Sequence, residues 1–178
     1  PQPSPAGVPT TSTRKPLAGR HVAIAPSGDS RMAEALAARL TSAGAVARLL
    51  GPDDQLDEAD SLIDLTSLAS DNTDAGVKRL FKLAQEAASG PTHTLFAAAR
   101  QDGVFGDHPA AGSREPLGGV AGLLKSLKRE HDELQVRVVN LPATGGQELD
   151  VDHLIAELGV IGGPLEVGFV DGVRHSLA

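Results

Sequence analysis

His21-Val22-Ala23-Ile24-Ala25 is a short apolar run that ends in Pro26-Ser27-Gly28-Asp29, and helical spacing starts directly after it. The run reads as a buried strand followed by a turn. Met32, Leu36 and Leu40 then recur at i, i+4 and i+8, with Ala33 and Ala37 beside them. Asp29 or Ser30 is placed to cap this helix, and Gly44 to supply the left-handed residue after it. A second strand, Ala45 to Leu50, follows. Strand, helix and strand in this order form a βαβ unit, for which a right-handed crossover is expected.

The same alternation continues along the chain. Ser61 to Leu65 reads as a third strand. Thr73 to Ala88 reads as a helix whose apolar face is Val77, Leu80, Phe81, Ala84 and Ala88, stopped by Gly90-Pro91. Thr92 to Ala99 is a fourth strand, and Arg100 to Pro116 is turn-rich and irregular. A long helix from about Leu117 to Leu134 buries Leu117, Val120, Ala121, Leu124 and Leu127 and leaves Lys125, Lys128, Arg129 and Glu130 wet. Val136 to Leu141 is a fifth strand. Asp150 or Asp152 caps a short helix built on Val151, Leu154, Ile155 and Leu158, which Gly159 ends. Leu165 to Val170 and Val173 to Leu177 flank Asp171-Gly172, a two-residue hairpin signal. Two crossovers, Gly51 to Asp60 and Thr66 to Asn72, are too short for an ordinary helix. The expected fold is therefore α/β: a truncated Rossmann-like, doubly wound, mostly parallel sheet with a C-terminal β-hairpin.

Before this domain, residues 1–16 (Pro1 to Pro16) are rich in proline and poor in large apolar residues, the composition of an interdomain linker. The domain itself is expected to span residues 17–178. The whole chain has 178 residues, of which 40% are hydrophobic and 22% charged, an ordinary globular balance for a single domain. The net charge of -7 opposes binding to nucleic-acid phosphates, and the four phenylalanines are too scattered to stack on bases. No apolar run is long enough to cross a bilayer, and the first residues do not read as the basic, apolar and cleavage-site sequence of a secretory signal. There is no cysteine, so disulfides, thiolate metal sites and cysteine nucleophiles are excluded, and the composition suits a reducing cytoplasm. There is also no tyrosine, which removes phenol-based acid catalysis.

Candidate sites are weak one by one. A dinucleotide pyrophosphate needs glycines and free amides at the first strand–helix turn. That turn instead offers one glycine, Gly28, the imino acid Pro26 and the carboxylate of Asp29. Arg48, near the end of the second strand, could meet a 2′-phosphate but reads better as a surface partner of the acidic connector Pro52 to Asp60. Gly118-Gly119, Gly145-Gly146 and Gly162-Gly163 read as turns or close packing. The histidines His21, His93, His108, His131, His153 and His175 are dispersed, with no metal-binding helix motif. Asp107-His108-Pro109 only superficially resembles a cobalamin-binding element. Asp150, Asp152 and His153 crowd a helix start, where capping accounts for them. No serine sits in a nucleophile elbow.

Two stretches are more distinctive. Gly118-Gly119-Val120-Ala121-Gly122-Leu123-Leu124-Lys125-Ser126-Leu127-Lys128-Arg129-Glu130, followed by Val136-Arg137-Val138-Val139-Asn140-Leu141, is the first. Gly162-Gly163-Pro164-Leu165-Glu166-Val167-Gly168-Phe169-Val170-Asp171-Gly172-Val173-Arg174 is the second. Together they resemble the ketoreductase regions, of the short-chain dehydrogenase type, of type I polyketide and polyunsaturated fatty-acid synthases. The resemblance covers about Leu17 to Ala178.

In that family the region contains two related subdomains, and the resemblance points to the N-terminal one. It implies a truncated Rossmann fold that binds no cofactor and supports the catalytic subdomain, which would lie C-terminal to Ala178 and hold NADPH. The proline-rich start would be a linker from a preceding domain, such as a carrier domain.

The residues agree with that choice. A reductase of this kind uses a tyrosine, a lysine and a carbonyl-orienting serine. This chain has no tyrosine, and Ala97-Ala98-Ala99 stands where the serine would follow the fourth strand. Lys125 remains, without a phenol to tune, and reads as a solvated helix residue. The expectation is a non-enzymatic subdomain with no catalytic, cofactor-binding or metal residues of its own. Its docking surface is expected to include the hairpin Leu165 to Leu177. Two rivals are a divergent NADPH-dependent ketoreductase and a docking module for an acyl carrier protein. The second rival would use the basic residues Lys125, Lys128 and Arg129.

Overall fold

The computed structural model describes residues 4–5, 16–68, 73–100, 118–142 and 146–176. Among them the strands are β1 (Ser4–Pro5), β2 (His21–Ala25), β3 (Val46–Leu49), β4 (Ser61–Asp64), β5 (Thr94–Arg100), β6 (Gln135–Leu141), β7 (Glu166–Val170) and β8 (Val173–Ser176). The helices are α1 (Arg31–Ser42), α2 (Thr73–Ser89), α3 (Gly118–Glu130) and α4 (Gln147–Leu158), with a 3₁₀ turn at Thr66–Leu68. All strands join one sheet in the order β1-β8-β7-β6-β5-β4-β2-β3. Pairing is parallel from β3 through β7 and antiparallel at β7–β8 and β8–β1. This is the expected truncated Rossmann-like sheet with its terminal hairpin.

Alternation along the strands separates two cores. Val22 and Ile24 of β2, Ile63 of β4, Phe96 and Ala98 of β5 and Val139 of β6 face α1 and α4. Ala23, Leu62, Leu95, Ala97, Val136 and Val138 face α2 and α3. Both faces of the central strands are apolar because helices cover both, which is why these strands read as unbroken hydrophobic runs. The β3-to-β4 connection carries no helix. Leu56 and Ala59 fold down from it onto the α2/α3 face and are buried there.

The connection β6–α4–β7 departs from the rule for crossovers. α1 covers one face while the chain steps from β2 outward to β3, and α2 and α3 cover the other while it steps from β4 through β5 to β6. These steps run in opposite directions on opposite faces, so they share one hand, the right-handed one that βαβ units adopt in about 98% of cases. α4 continues the β4-to-β6 direction yet packs beside α1. Its crossover therefore has the opposite, left hand.

Local differences from the sequence reading have identifiable causes. Leu80 and Ala84 of the expected α2 face are buried and Val77 and Ala88 pack against the core, but Phe81 is 49% exposed and Leu83 and Ala87 are buried in its stead. α3 stops at Glu130, while Leu134 is buried in the turn before β6. Leu117, Leu177 and Asp107-His108-Pro109 lie outside the described residues. Of the segment read as a linker, residues 4–5 are described as strand and residue 16 as irregular backbone; Ser4 and Pro5 pair with Ser176 and His175 of β8. Gly44, after α1, has φ +86°, and an added Cβ there would lie 3.2 Å from the Ala18 side chain. Asp171 and Gly172 have φ +49° and +75°, so the hairpin turns through two left-handed residues as that dipeptide favours.

Candidate functional site

In a doubly wound sheet, ligands sit beyond the carboxyl ends of the strands, where the strand order reverses. Here that point lies between β2 and β4, under the first strand–helix turn. Asp29 occupies the turn. Its carboxylate accepts the Arg31 backbone N–H at 3.1 Å and grips the Arg31 guanidinium through Nε at 2.9 and 3.0 Å. The Arg31 side chain holds the Asp29 carboxyl down to about 2. Ser30 is the N-cap residue but makes no side-chain cap bond; its hydroxyl donates to Glu34 at 2.7 Å instead. Two carboxylates thus stand at the positive end of α1, where a pyrophosphate would need amides and open space. The residues of this turn do not fit a dinucleotide phosphate. Arg48, the candidate for a ribose phosphate, donates to Gln55 O at 2.7 Å and pairs with Asp57 at 3.1 Å, as a partner of the acidic connector.

Further along the same edge, Ala97, Ala98 and Ala99 of β5 are fully buried. Beside them Asp64, at the end of β4, is buried and accepts the Thr66 hydroxyl at 2.8 Å. Burial pushes its carboxyl up to about 7 against the lowering effect of Thr66. Asn140 of β6 is also fully buried, with neither amide atom hydrogen-bonded among the described residues.

The basic residues of α3 are mostly engaged. Lys125 pairs with Glu166 of β7, so it is not simply a solvated side chain. Lys128 donates to Asp132 O and, at 3.1 Å, to Leu134 O, closing the C-terminal end of α3. Among the described residues, no group of three or more His, Asp or Glu residues is placed to hold a metal ion, and no helix is long and apolar enough to cross a membrane.

The acidic residues read as helix caps do something else. α4 starts at Gln147 with Gly146 as N-cap, so Asp150 and Asp152 lie inside it. Asp150 is buried and pairs with Arg100 of β5 at 2.5 Å, while Asp152 pairs with Arg39 of α1. His153 stacks on Phe169, ring centroids 3.8 Å apart and planes at 9°. Burial lowers its pKa, against the raising effect of Asp150, Asp152 and Glu157.

The strongest polar cluster was not apparent from the sequence. Glu157 of α4, 2% exposed, receives Arg137 Nη1 from β6 at 2.6 Å and Arg174 Nε from β8 at 2.5 Å. Arg174 Nη2 adds a second contact at 3.2 Å. Arg137 also donates to Gly162 O in the α4–β7 loop and lies 5.4 Å over the Phe96 ring. The only hints in the sequence were arginines standing at inward positions of otherwise apolar strands. These arginines belong to the two distinctive stretches, so part of that pattern serves to clamp the hairpin to α4 and β6. The hairpin's outer edge is covered by β1 at His175 and Ser176, while Val173 near its tip is 49% exposed.

No family model matches the chain, and no curated protein does. Solved structures do. A C2-type ketoreductase from a modular polyketide synthase matches 98% of this chain with 41% of its own length, at 18% identity and a TM-score of 0.70. An adenylation, ketoreductase and pseudo-Asub multidomain structure of a keto acid-selecting NRPS module matches 98% of the chain with 18% of its own, at 13% identity and TM-score 0.71. The ketoreductase from the first module of phoslactomycin biosynthesis in Streptomyces sp. HK803 matches 92% with 34%, at 13% identity and TM-score 0.62. The chain thus spans less than half of each of these structures. It shares its fold with part of the ketoreductase structures of polyketide synthases.

Proposed function

We propose that this chain is a non-catalytic structural subdomain that packs against and stabilises the catalytic ketoreductase subdomain of a cytoplasmic multidomain polyketide or fatty-acid synthase. The observation that carries this reading is the absence of tyrosine from a chain whose fold matches under half of a ketoreductase. A carbonyl reductase of this type needs a proton donor as hydride arrives. The buried alanines of β5 and the Asp29–Arg31 pair at the first turn support the same reading. NADPH then belongs to the neighbouring subdomain. The clamped hairpin β7–β8 is the docking element, because Arg137, Glu157 and Arg174 tie it to α4 and β6 while Val173 stays exposed.

Calorimetric titration of the chain with NADPH tests the non-catalytic assignment: no saturable binding is expected, and saturation at micromolar cofactor would favour a divergent reductase. Mixing the chain with the catalytic subdomain tests the partner assignment. A complex and a raised Tm are expected. Docking of an acyl carrier domain draws less support, because Lys125 and Lys128 already hold partners within the chain.

A further inference from the structure

The helices that cover one side of the sheet carry a second surface, independent of the ketoreductase reading. α2 and α3 lie side by side there. The Val77 side chain stands 3.5 Å from the place a Cβ on Gly119 would take, so that stripe of α2 faces α3. Phe81 follows on the same stripe, one turn along. It is 49% exposed, while Val77 and Leu123 pack onto the core. A half-exposed ring beside the groove between two helices is an apolar anchor of the kind on which interfaces are built.

Across the groove, Gly122 stands in the interior of α3, and a Cβ on it would meet nothing within 4 Å. Glycine weakens a helix interior relative to alanine, and no packing within the chain asks for it at this position. Exposed and bare, it lets a backbone from outside come close to α3, and Ser126, one turn on, is exposed beside it.

Charge selects the occupant. From Lys78 onward the exposed side chains of α2 are Lys78, Phe81, Lys82, Gln85 and Ser89, and Glu86 turns instead to the Leu56 N–H at 3.1 Å. The exposed residues of α3 carry no carboxylate before Glu130 at its far end. Lys78 and Lys82, one turn apart, hold no partner among the described residues. The face is thus cationic, on a chain of net charge -7. A second copy would bring one cationic face against another, which is repulsive. A helix laid along the groove fits instead. Its inward stripe, small or apolar, meets Phe81 and Gly122, and carboxylates one turn apart on the flank above α2 meet Lys78 and Lys82.

We propose that the outer face of α2 and α3 is a docking site for an amphipathic helix of a partner protein whose polar flank is acidic. The test titrates the ¹⁵N-labelled chain with a helical peptide about five turns long, carrying a leucine–alanine stripe flanked by glutamates, and with its counterpart carrying lysines in their place. Saturable shifts centred on Lys78, Phe81 and Gly122 are expected for the glutamate peptide alone. Lys78→Glu combined with Lys82→Glu weakens binding about fivefold or more. Phe81→Ala weakens it about tenfold. Gly122→Leu abolishes binding yet leaves the Tm unchanged or raised, because leucine is the better helix former. The proposal is overturned if no saturable shift occurs, if both peptides bind alike, if the shifts centre on other elements, or if any of the three variants keeps full affinity. It is equally overturned if raising the chain's own concentration moves the same signals, which assigns the face to a second copy.

Discussion

Arg137 and Arg174 converge on one buried carboxylate, reaching opposite oxygens of Glu157 at 2.6 and 2.5 Å. Burial and the neighbouring Arg174 charge lower the Arg137 pKa, and Glu157 opposes that fall. Removing the shared anion leaves two guanidiniums facing each other in the protein interior. Glu157→Gln is expected to destabilise the chain by about 3–5 kcal/mol. For a chain of this size that is a Tm fall of roughly 6–20 °C in a thermal melt. Replacing all three members together, Glu157→Leu with Arg137→Met and Arg174→Met, is expected to recover most of the loss, because no unpaired charge remains.

Asp64 makes stability fall as pH rises. Its carboxyl is raised to about 7 by burial, above the ordinary value it regains on unfolding. Between the two values the folded state holds more protons than the unfolded state, so each step up in pH favours unfolding. The contribution is full below about pH 4 and gone above about pH 7, and amounts to a few kcal/mol at most. Denaturant titrations at pH 5 and pH 8 should show Asp64→Asn gaining stability relative to the parent at the higher pH. An equal gap between the two proteins at both pH values would refute the assignment.

Leu80 and Phe81 are neighbours on α2 with opposite fates. Leu80 is fully buried and Phe81 is 49% exposed. Leu80→Ala is expected to cost about 2–5 kcal/mol. Phe81→Ala should stay within about 0.5 kcal/mol, measured as a shift in urea midpoint.

Gly44 combines φ +86° with a close approach to Ala18. Gly44→Ala is expected to cost at least about 1–2 kcal/mol, since the left-handed backbone and the contact both penalise a methyl group. A thermal melt of the variant reads this directly.

The strands and the hairpin could be read from the sequence because periodicity and turn chemistry act over a few residues. β2, β5, β6 and the Asp171-Gly172 turn are all of this kind. On α2 only Phe81 departs from the expected face, because two overlapping stripes share helical spacing and only the position of the sheet selects Leu83 over Phe81. The start of α4 is not legible because its N-cap is Gly146, which has no side chain to announce it, whereas Asp150 has the look of a cap. The Glu157 clamp joins three elements far apart in the chain, so no local signal exists. The first turn was legible as unsuited to phosphate, but not the grip of Arg31 on Asp29 that fills it.

The left-handed passage from β6 through α4 to β7 bears on how the chain is made. As synthesis proceeds from the N-terminus, α2 and α3 emerge in time to cover their side of β4, β5 and β6. On the other side, the cluster of Phe96, Ala98, Val139 and Leu141 with α1 is complete only when residues 147–158 arrive. Until then the nascent chain presents a half-dressed sheet, the state in which partly folded chains aggregate. α4 therefore bears on the exposure of apolar surface during synthesis as well as on the architecture.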